Sequence, residues 1–350
     1  MGLLDKFKNL KEAAQEWTEG SGPGSLDRKI ENNLVEMESG SELERTAAVK
    51  ALVIQAQTDE KWFAPIINSF IRVLSKQPGT TQEAIIDGLM ELRKKQPSRD
   101  SDIFAAIQET FDSPFPAVRS KVVDIWTRFS LKSDAKKSDR IADLFEILSD
   151  DDKEVRYQTQ DSLIKILNTV PKAALPELKK ALKDEDWRVV YHSIVILTEF
   201  ARKYPAPSIA LAPEVISAFN SGQRLKERAA DCIGMLGLAN PDAMKPAVPG
   251  LIKGLESKSS ELRKASATAL GRIGSKNGMV VYHAVPRLAK ALKNEDWYIH
   301  TEVVKALGYI GSNKPALVKP HLALIENRTK TGADRKICDA AKWALKKAGG

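Results

Sequence analysis

The feature that most constrains this 350-residue chain is an internal repeat. The tetrad Gly-x-Ile/Leu-Gly occurs as Gly234-Met235-Leu236-Gly237, Gly271-Arg272-Ile273-Gly274 and Gly308-Tyr309-Ile310-Gly311, at intervals of 37 residues. Upstream of it, the apolar residue that opens the same helix recurs at Val118, Val155, Val189, Leu225, Leu262, Ile299 and Ile337, with spacings of 37, 34, 36, 37, 37 and 38. Such a period marks stacked helical pairs. Each pair has too little core to stand alone, and buries its apolar face only between neighbours.

The rest of the sequence agrees with an all-α chain. Hydrophobic residues make up 43% and aromatics only 6%, and Ala, Leu, Lys and Glu favour helix over strand. The two cysteines, Cys232 and Cys338, both fall in predicted helices, which points to core positions in a reducing compartment rather than to a disulfide framework. No apolar run approaches the roughly 18 residues of a membrane span, and no secretory h-region opens the chain. The expected location is cytoplasmic. The net charge of +8 is unevenly spread: residues 1–170 carry 24 Lys+Arg against 29 Asp+Glu, net −5, and residues 171–350 carry 30 against 17, net +13. A basic half attracts an acidic partner, whether protein, nucleic acid or anionic membrane.

Four segments are expected. In residues 1–17, Leu3, Phe7, Leu10, Ala14 and Trp17 share one stripe of a helix, with Asp5, Lys8, Glu12 and Glu16 on the other side. This amphipathic helix suits capping the end of the stack, docking into a partner's groove, or lying on a membrane as a peripheral anchor. Lys6 occupies the position where an N-myristoylation signal wants Ser or Thr. Residues 18–25, Thr-Glu-Gly-Ser-Gly-Pro-Gly-Ser, have linker composition. Residues 26–101 read as two degenerate helical pairs, the second joining Phe63, Ile66, Ile67, Phe70, Ile71 and Leu74 to Ile85, Ile86, Leu89 and Leu92. Residues 102–350 hold seven regular repeats.

Within a regular repeat the first helix enters through a proline, as at Pro176, Pro249 and Pro286. An acidic or polar turn follows, Asp150-Asp151-Asp152, Asp184-Glu185-Asp186 or Asn294-Glu295-Asp296, placed to cap the second helix. That helix opens with Val118-Arg119, Val155-Arg156 or Leu262-Arg263 and closes on the glycine tetrad. The segment Tyr204–Pro213 departs from this plan and is expected to interrupt the curvature. Proline entry, acidic turn, Val-Arg, Ala-rich helix and closing tetrad together resemble the HEAT repeat family, including the HEAT-like units of phycobilin lyases and archaeal and bacterial scaffold proteins. The resemblance implies a right-handed α-α superhelix, a solenoid of about nine helical pairs. It also implies a structural ladder between repeats built from Asp152, Arg119, Arg156 and Arg263, interrupted where Val190, Lys226, His300 and Cys338 take the Arg position.

Enzymatic chemistry is not expected. The four histidines are followed by Ser193, Ala284, Thr301 and Leu322, so the repeated His-Glu pairs of HEAT-like di-iron hydroxylases are missing. Two cysteines 106 residues apart cannot make a zinc site, and there is no P-loop, Gly-x-Gly-x-x-Gly turn or Gly-x-Ser-x-Gly elbow. The tetrad glycines sit near a helix end, where close packing and a helix stop account for them. Helix-repeat DNA glycosylases use a cleft of Trp, Asp and Arg, but the near-identical settings of Trp187 and Trp297 assign both to packing between repeats. No metal or cofactor is expected.

Second helices should line the concave face of such a superhelix. With Leu262, Ser266, Ala269 and Ile273 inward, helical phase turns out Lys264 and Thr268, and in other repeats Tyr157 and Asp161, Tyr191 and Val195, Glu227 and Asp231, Thr301 and Lys305, and Asp339, Trp343 and Lys346. Much of the remaining positive charge lies on first helices, in Lys179, Lys180, Lys183, Lys253, Arg287, Lys290 and Lys293, which is not the single basic face of a duplex groove. The expected function is a scaffold that grips an acidic, helical or extended protein segment through Tyr157, Tyr191, Lys264, Lys305, Trp343 and Lys346. Nucleic-acid binding by the basic half is the alternative, and membrane tethering through Leu3, Phe7, Leu10 and Trp17 the third reading.

Overall fold

The computed structural model describes residues 25–131, 137–169, 171–293, 297–329 and 335–349. The predicted amphipathic helix, with Leu3, Phe7, Leu10 and Trp17, lies outside the described residues, as do nearly all of the predicted linker and the turn Asn294-Glu295-Asp296. Among the described residues every regular element is helical, and the architecture is the expected all-α helical-repeat fold. The chain clusters into two compact units, residues 1–126 and 127–350.

In the first unit α1 (Ser25–Ser39) packs on α2 (Glu42–Thr58), and α3 (Phe63–Val73) on α4 (Gly79–Leu92). α2 also packs on α4, and α3 on α5 (Asp100–Gln108), which precedes α6 (Pro116–Ser130). The second unit continues with α7 (Lys137–Glu146), α8 (Lys153–Thr169), α9 (Pro171–Ala181), α10 (Trp187–Lys203), α11 (Ala212–Ser221), α12 (Gln223–Ala239), α13 (Val248–Gly254), α14 (Ser260–Lys276), α15 (Val285–Ala291), α16 (His300–Asn313), α17 (Leu322–Glu326) and α18 (Arg335–Gly349). Its second helices form one unbroken row, with α8 on α10, then α12, α14, α16 and α18. Each of α11, α13, α15 and α17 covers the second helix of its own pair. Nine helical pairs are thus present among the described residues, and all seven helix-opening residues from Val118 to Ile337 are buried.

Local sequence explains the ends of these helices. Ser41 and Glu44 make a capping box at α2, Asp152 accepts from the Glu154 and Val155 amides at α8, Asp186 accepts from Arg188 N at α10, and Ser259 from Leu262 N at α14. Two expectations change. Pro249 and Pro286 do sit in the first turns of α13 and α15, but Pro176 lies inside α9, which starts earlier at Pro171. The segment Tyr204–Pro213 is no interruption either. Its short helical turns, Pro205–Ser208 and Ile209–Leu211, recur as Asp242–Ala247, Gly278–Ala284, and Pro315–Val318 with Lys319–His321. Such a prelude leads into each of the last four first helices, and α10 packs on α12 across it.

The tetrad glycines are where the row is held closest. A Cβ added to Gly234 would lie 2.8 Å from Ala269 Cα, and one on Gly271 2.7 Å from Ala306 Cα; Gly308 faces Ala344 in the same way. The second glycines, Gly237, Gly274 and Gly311, face Ile273, Ile310 and Ala348 of the following helix. Close packing therefore accounts for the tetrad, and the helix-stop role does not: α12, α14 and α16 run on beyond it and end at the caps Asn240, Asn277 and Lys314. Polar bridges reinforce the spacing, as where Asn313 donates to Lys276 O at 3.2 Å and accepts from Gly278 N at 2.8 Å.

Gly271→Ala should destabilise the protein by about 1–3 kcal/mol, because backbone rather than a movable side chain meets the new methyl. Gly222→Ala, where an added Cβ meets nothing within 4 Å, should change stability by less than about 1 kcal/mol. Urea unfolding of the two variants beside the parent protein checks both values.

Candidate functional site

The helical phase that buries the opening apolar residues of α14, α16 and α18 turns Lys264, Lys305 and Trp343 to the same side. With Tyr298, Thr301, Glu302, Tyr309, Lys336 and Asp339 they line one open cleft of about 780 Å³. Lys264 Nζ lies 5.3 Å from the Tyr298 ring centre, while the Tyr298 hydroxyl donates to Glu261 Oε1 at 2.8 Å. That bond and the carboxylate's charge push the Tyr298 phenol above its ordinary pKa. Tyr309 meets Trp343 edge to face at 4.9 Å. A second cleft, about 320 Å³ and lined by Leu238, Thr268, Arg272 and Ser275, shares Glu302, Lys305 and Tyr309 with the first and extends the surface to α12.

Towards the other end of the row a second aromatic cluster is built on α8 and α10. Tyr157 and Tyr191 both stand edge to face against His192, at 5.4 and 5.2 Å, and Trp187 packs against Tyr191 at 6.4 Å. Two arginines of α12 cross to this cluster. Arg224 lies 4.7 Å from the Trp187 ring centre, and Arg228 donates to the Tyr191 hydroxyl at 3.1 Å. Beside them Asp231 is held above the usual carboxylate range by burial, against the pull of Arg272, Arg228 and Lys264.

The structure thus places the six sequence-predicted contacts in two groups. Lys264, Lys305 and Trp343 share one cleft, with Lys346 exposed one turn beyond Trp343 on α18; Tyr157 and Tyr191 meet through His192 on the earlier helices. Tyr309, Tyr298, Lys336, Arg224 and Arg228 were missed. Tyr309 was within reach, four residues after Lys305 on the same helical face, but its place in the tetrad hid it. Trp187 was read as packing, yet it stays 43% exposed beneath Arg224.

The arginines expected in a ladder reach back to their own turns. Arg119 donates to Ser113 O at 2.6 Å, Arg263 to Ser257 O at 2.7 Å, and Arg156 to Asp150 O and, at 3.0 Å, Asp151 O. In the first three of these bonds the acceptor lies six residues before the arginine. A carboxylate–guanidinium pair between neighbouring repeats is made by Asp151 and Arg188, 2.9 Å apart, and Arg188 also grips Asp186. This holds the Asp186 carboxyl below the ordinary range. Part of the positive charge on first helices is likewise committed inside the stack: Lys179 and Lys183 lie 3.7 and 3.5 Å from Glu214, and Arg287 3.2 Å from Glu256.

Among the described residues no group of three or more His, Cys, Asp or Glu is placed to hold a metal ion, and no helix is long and apolar enough to cross a membrane. Burial pushes the Cys232 thiol up to about 12, so it does not form a thiolate near neutrality. His192 donates from Nδ1 to Gln160 Oε1 at 2.8 Å, and burial, with Arg156 nearby, lowers its pKa to about 4.

A histidine held neutral costs stability in acid. Between pH 6.5 and 4 the unfolded chain takes up a proton that the folded chain refuses, so the fold weakens as pH falls through that window and no further below it. The loss of unfolding free energy between pH 7 and 4.5 should be smaller by about 2 kcal/mol in His192→Asn, read from denaturant curves at both pH values.

Residues 248–346 match the family model for HEAT repeats. No curated protein matches the sequence. Among solved structures, the karyopherin Kap121p bound to Nup53p is similar at a TM-score of 0.63 and 14% identity, over 98% of this chain and 41% of that one. Kap121p bound to the SUMO protease Ulp1p gives 0.61, at the same identity and coverage. Kap95p with RanGDP gives 0.54 at 12% identity, over 98% of this chain and 51% of that one. This chain spans about half or less of the length of these neighbours, and at such identity the likeness is one of fold. By sequence over residues 248–346, and by fold over nearly its whole length, the chain resembles the HEAT-repeat proteins.

Proposed function

We propose that this chain is a non-enzymatic cytoplasmic scaffold that binds an acidic segment of a partner protein along the outward face of its second helices, the face expected to be concave. The observation that carries this reading is the cleft in which Lys264, Tyr298, Lys305, Tyr309 and Trp343, drawn from successive repeats, converge. Aromatic and basic side chains on a rigid frame are the residues that dominate protein interfaces, because they bury large area at small entropic cost and pair with carboxylates. Tyr157, Tyr191, Arg224 and Arg228 give an extended ligand a second point of attachment in the same unit. Kap121p, which shares the fold, has been solved with protein partners, and this supports a protein ligand over a small molecule.

The test is affinity capture of the full chain from its native lysate, with and without nuclease, followed by affinity measurement with what is retained. A stoichiometric protein should survive nuclease, and joint Ala substitution of Tyr157, Tyr191, Lys264, Lys305 and Trp343 should weaken it at least about tenfold, since several hot-spot side chains are removed together. A change within about threefold would sink the assignment of this face. Capture that vanishes with nuclease, and falls steeply with salt, would put nucleic acid in place of the protein.

A further inference from the structure

The first unit carries a surface that the reading above does not use. Along α2 and α4 runs an open groove of about 1010 Å³, floored by Leu43, Val49, Val53, Ile54 and Ala84. Leu43 is 80% exposed and Ile54 63%, which for large aliphatic side chains on one helical face marks an uncovered contact surface. Its rim holds the carboxylates Glu42, Glu83, Asp87 and Glu91 against two lysines, Lys50 and Lys121, and Lys121 is already engaged by Asp87 at 2.6 Å. An occupant of this groove needs an apolar stripe bordered by positive charge.

We propose that residues 3–17 of this chain occupy the groove as a helix. At 100° per residue their stripe of Leu3, Phe7, Leu10, Ala14 and Trp17 is flanked on one side by Lys6 and on the other by Lys11, while Asp5, Glu12 and Glu16 point away from it. That is the pattern the groove asks for. The tether also fits. Seven residues, 18–24, separate the segment from α1 and reach at most about 25 Å. The start of α1 lies beside the C-terminal end of α2, since Asp27 pairs with Lys61 at 3.1 Å and Lys61 follows the α2 cap Asp59 by two residues. Ile54, at the near end of the groove, is one helical turn before Thr58.

The attachment point fixes the direction. Trp17 and Ala14 come in at the Ile54 end, and Leu3 lies towards Leu43, so the segment runs parallel to α2. The stripe from Leu3 to Trp17 is about 21 Å long, against about 17 Å between Leu43 and Ile54. A tether this short gives an effective concentration on the order of millimolar, so even weak docking is well populated within one chain.

The experiment is disulfide trapping in the dilute full-length protein, with bonds located by mass spectrometry. Ala14→Cys paired with Ile54→Cys should close within the chain at least about tenfold faster than Ala14→Cys paired with Lys29→Cys, an exposed position on α1 nearer the tether but outside the groove. Lys6→Glu with Lys11→Glu, and separately Leu43→Asp, should slow the first pair several-fold; Leu43 is so exposed that the fold tolerates the change. Equal rates for the two pairs, or rates indifferent to these substitutions, would overturn the docking. Bonds that form only between chains would give the groove to a second copy and overturn it equally.

Discussion

The close approach of successive second helices through glycine and alanine is the contact on which the second unit depends. Where Gly271 faces Ala306, and Gly234 faces Ala269, a methyl group would already collide with backbone. Helices this close bring side chains of adjacent repeats into direct register, so each exposed position on one helix has a counterpart on the next. The 37-residue period of the sequence is thereby converted into a spatial period along the row. A fold without the tetrad could keep its helices and still lose this alignment, because larger residues at the seam would move each repeat by its own amount.

Register at the seam has consequences on the face above it. Polar pairs between residues 31 to 37 apart, such as Arg228 with Tyr191, Tyr298 with Glu261 and Arg287 with Glu256, are geometrically available only because neighbouring helices keep a constant offset. The arginines that follow the helix-opening valine or leucine also make local bonds. By donating to carbonyls of the preceding turn, Arg119, Arg156 and Arg263 satisfy backbone acceptors that a short connection cannot pair within a helix. The turns are thus fixed by side chains, which frees the exposed face of the second helix to carry residues chosen for other reasons.

Much of this organisation was legible in the residues. Val118, Val155, Val189, Leu225, Leu262, Ile299 and Ile337 are all buried, as a core-facing phase demands, and that same phase placed Lys264, Lys305 and Trp343 on one side before their cleft was seen. What was hidden has a physical cause in each case. The prelude turns beginning at Pro205, Asp242, Gly278 and Pro315 share a position in the repeat but little composition, so the first looked irregular when read alone. The partner of Asp151 could not be found by its place in the motif, because Arg188 comes one residue before Val189 whereas the other arginines follow the opening residue by one. Tyr309 was absorbed into a motif whose glycines face the next helix, although its own side chain points the opposite way.

The two units use one kind of helical seam to present different chemistry. In the second unit glycine keeps the seam tight, and the face above is furnished with rings and cations that already contact one another, as Tyr309 does Trp343 and Arg228 does Tyr191. Side chains held against one another in this way have less rotamer freedom to lose than isolated ones. In the first unit α2 leaves the aliphatic side chains of Leu43 and Ile54 open to solvent, in a groove rimmed by carboxylates. Exposed aliphatic groups gain most from simple burial, and a segment tethered nearby can supply that burial without a second molecule. The difference lies in how the face above the seam is filled: with rings and cations that contact one another in the second unit, and with exposed aliphatic groups between carboxylates in the first.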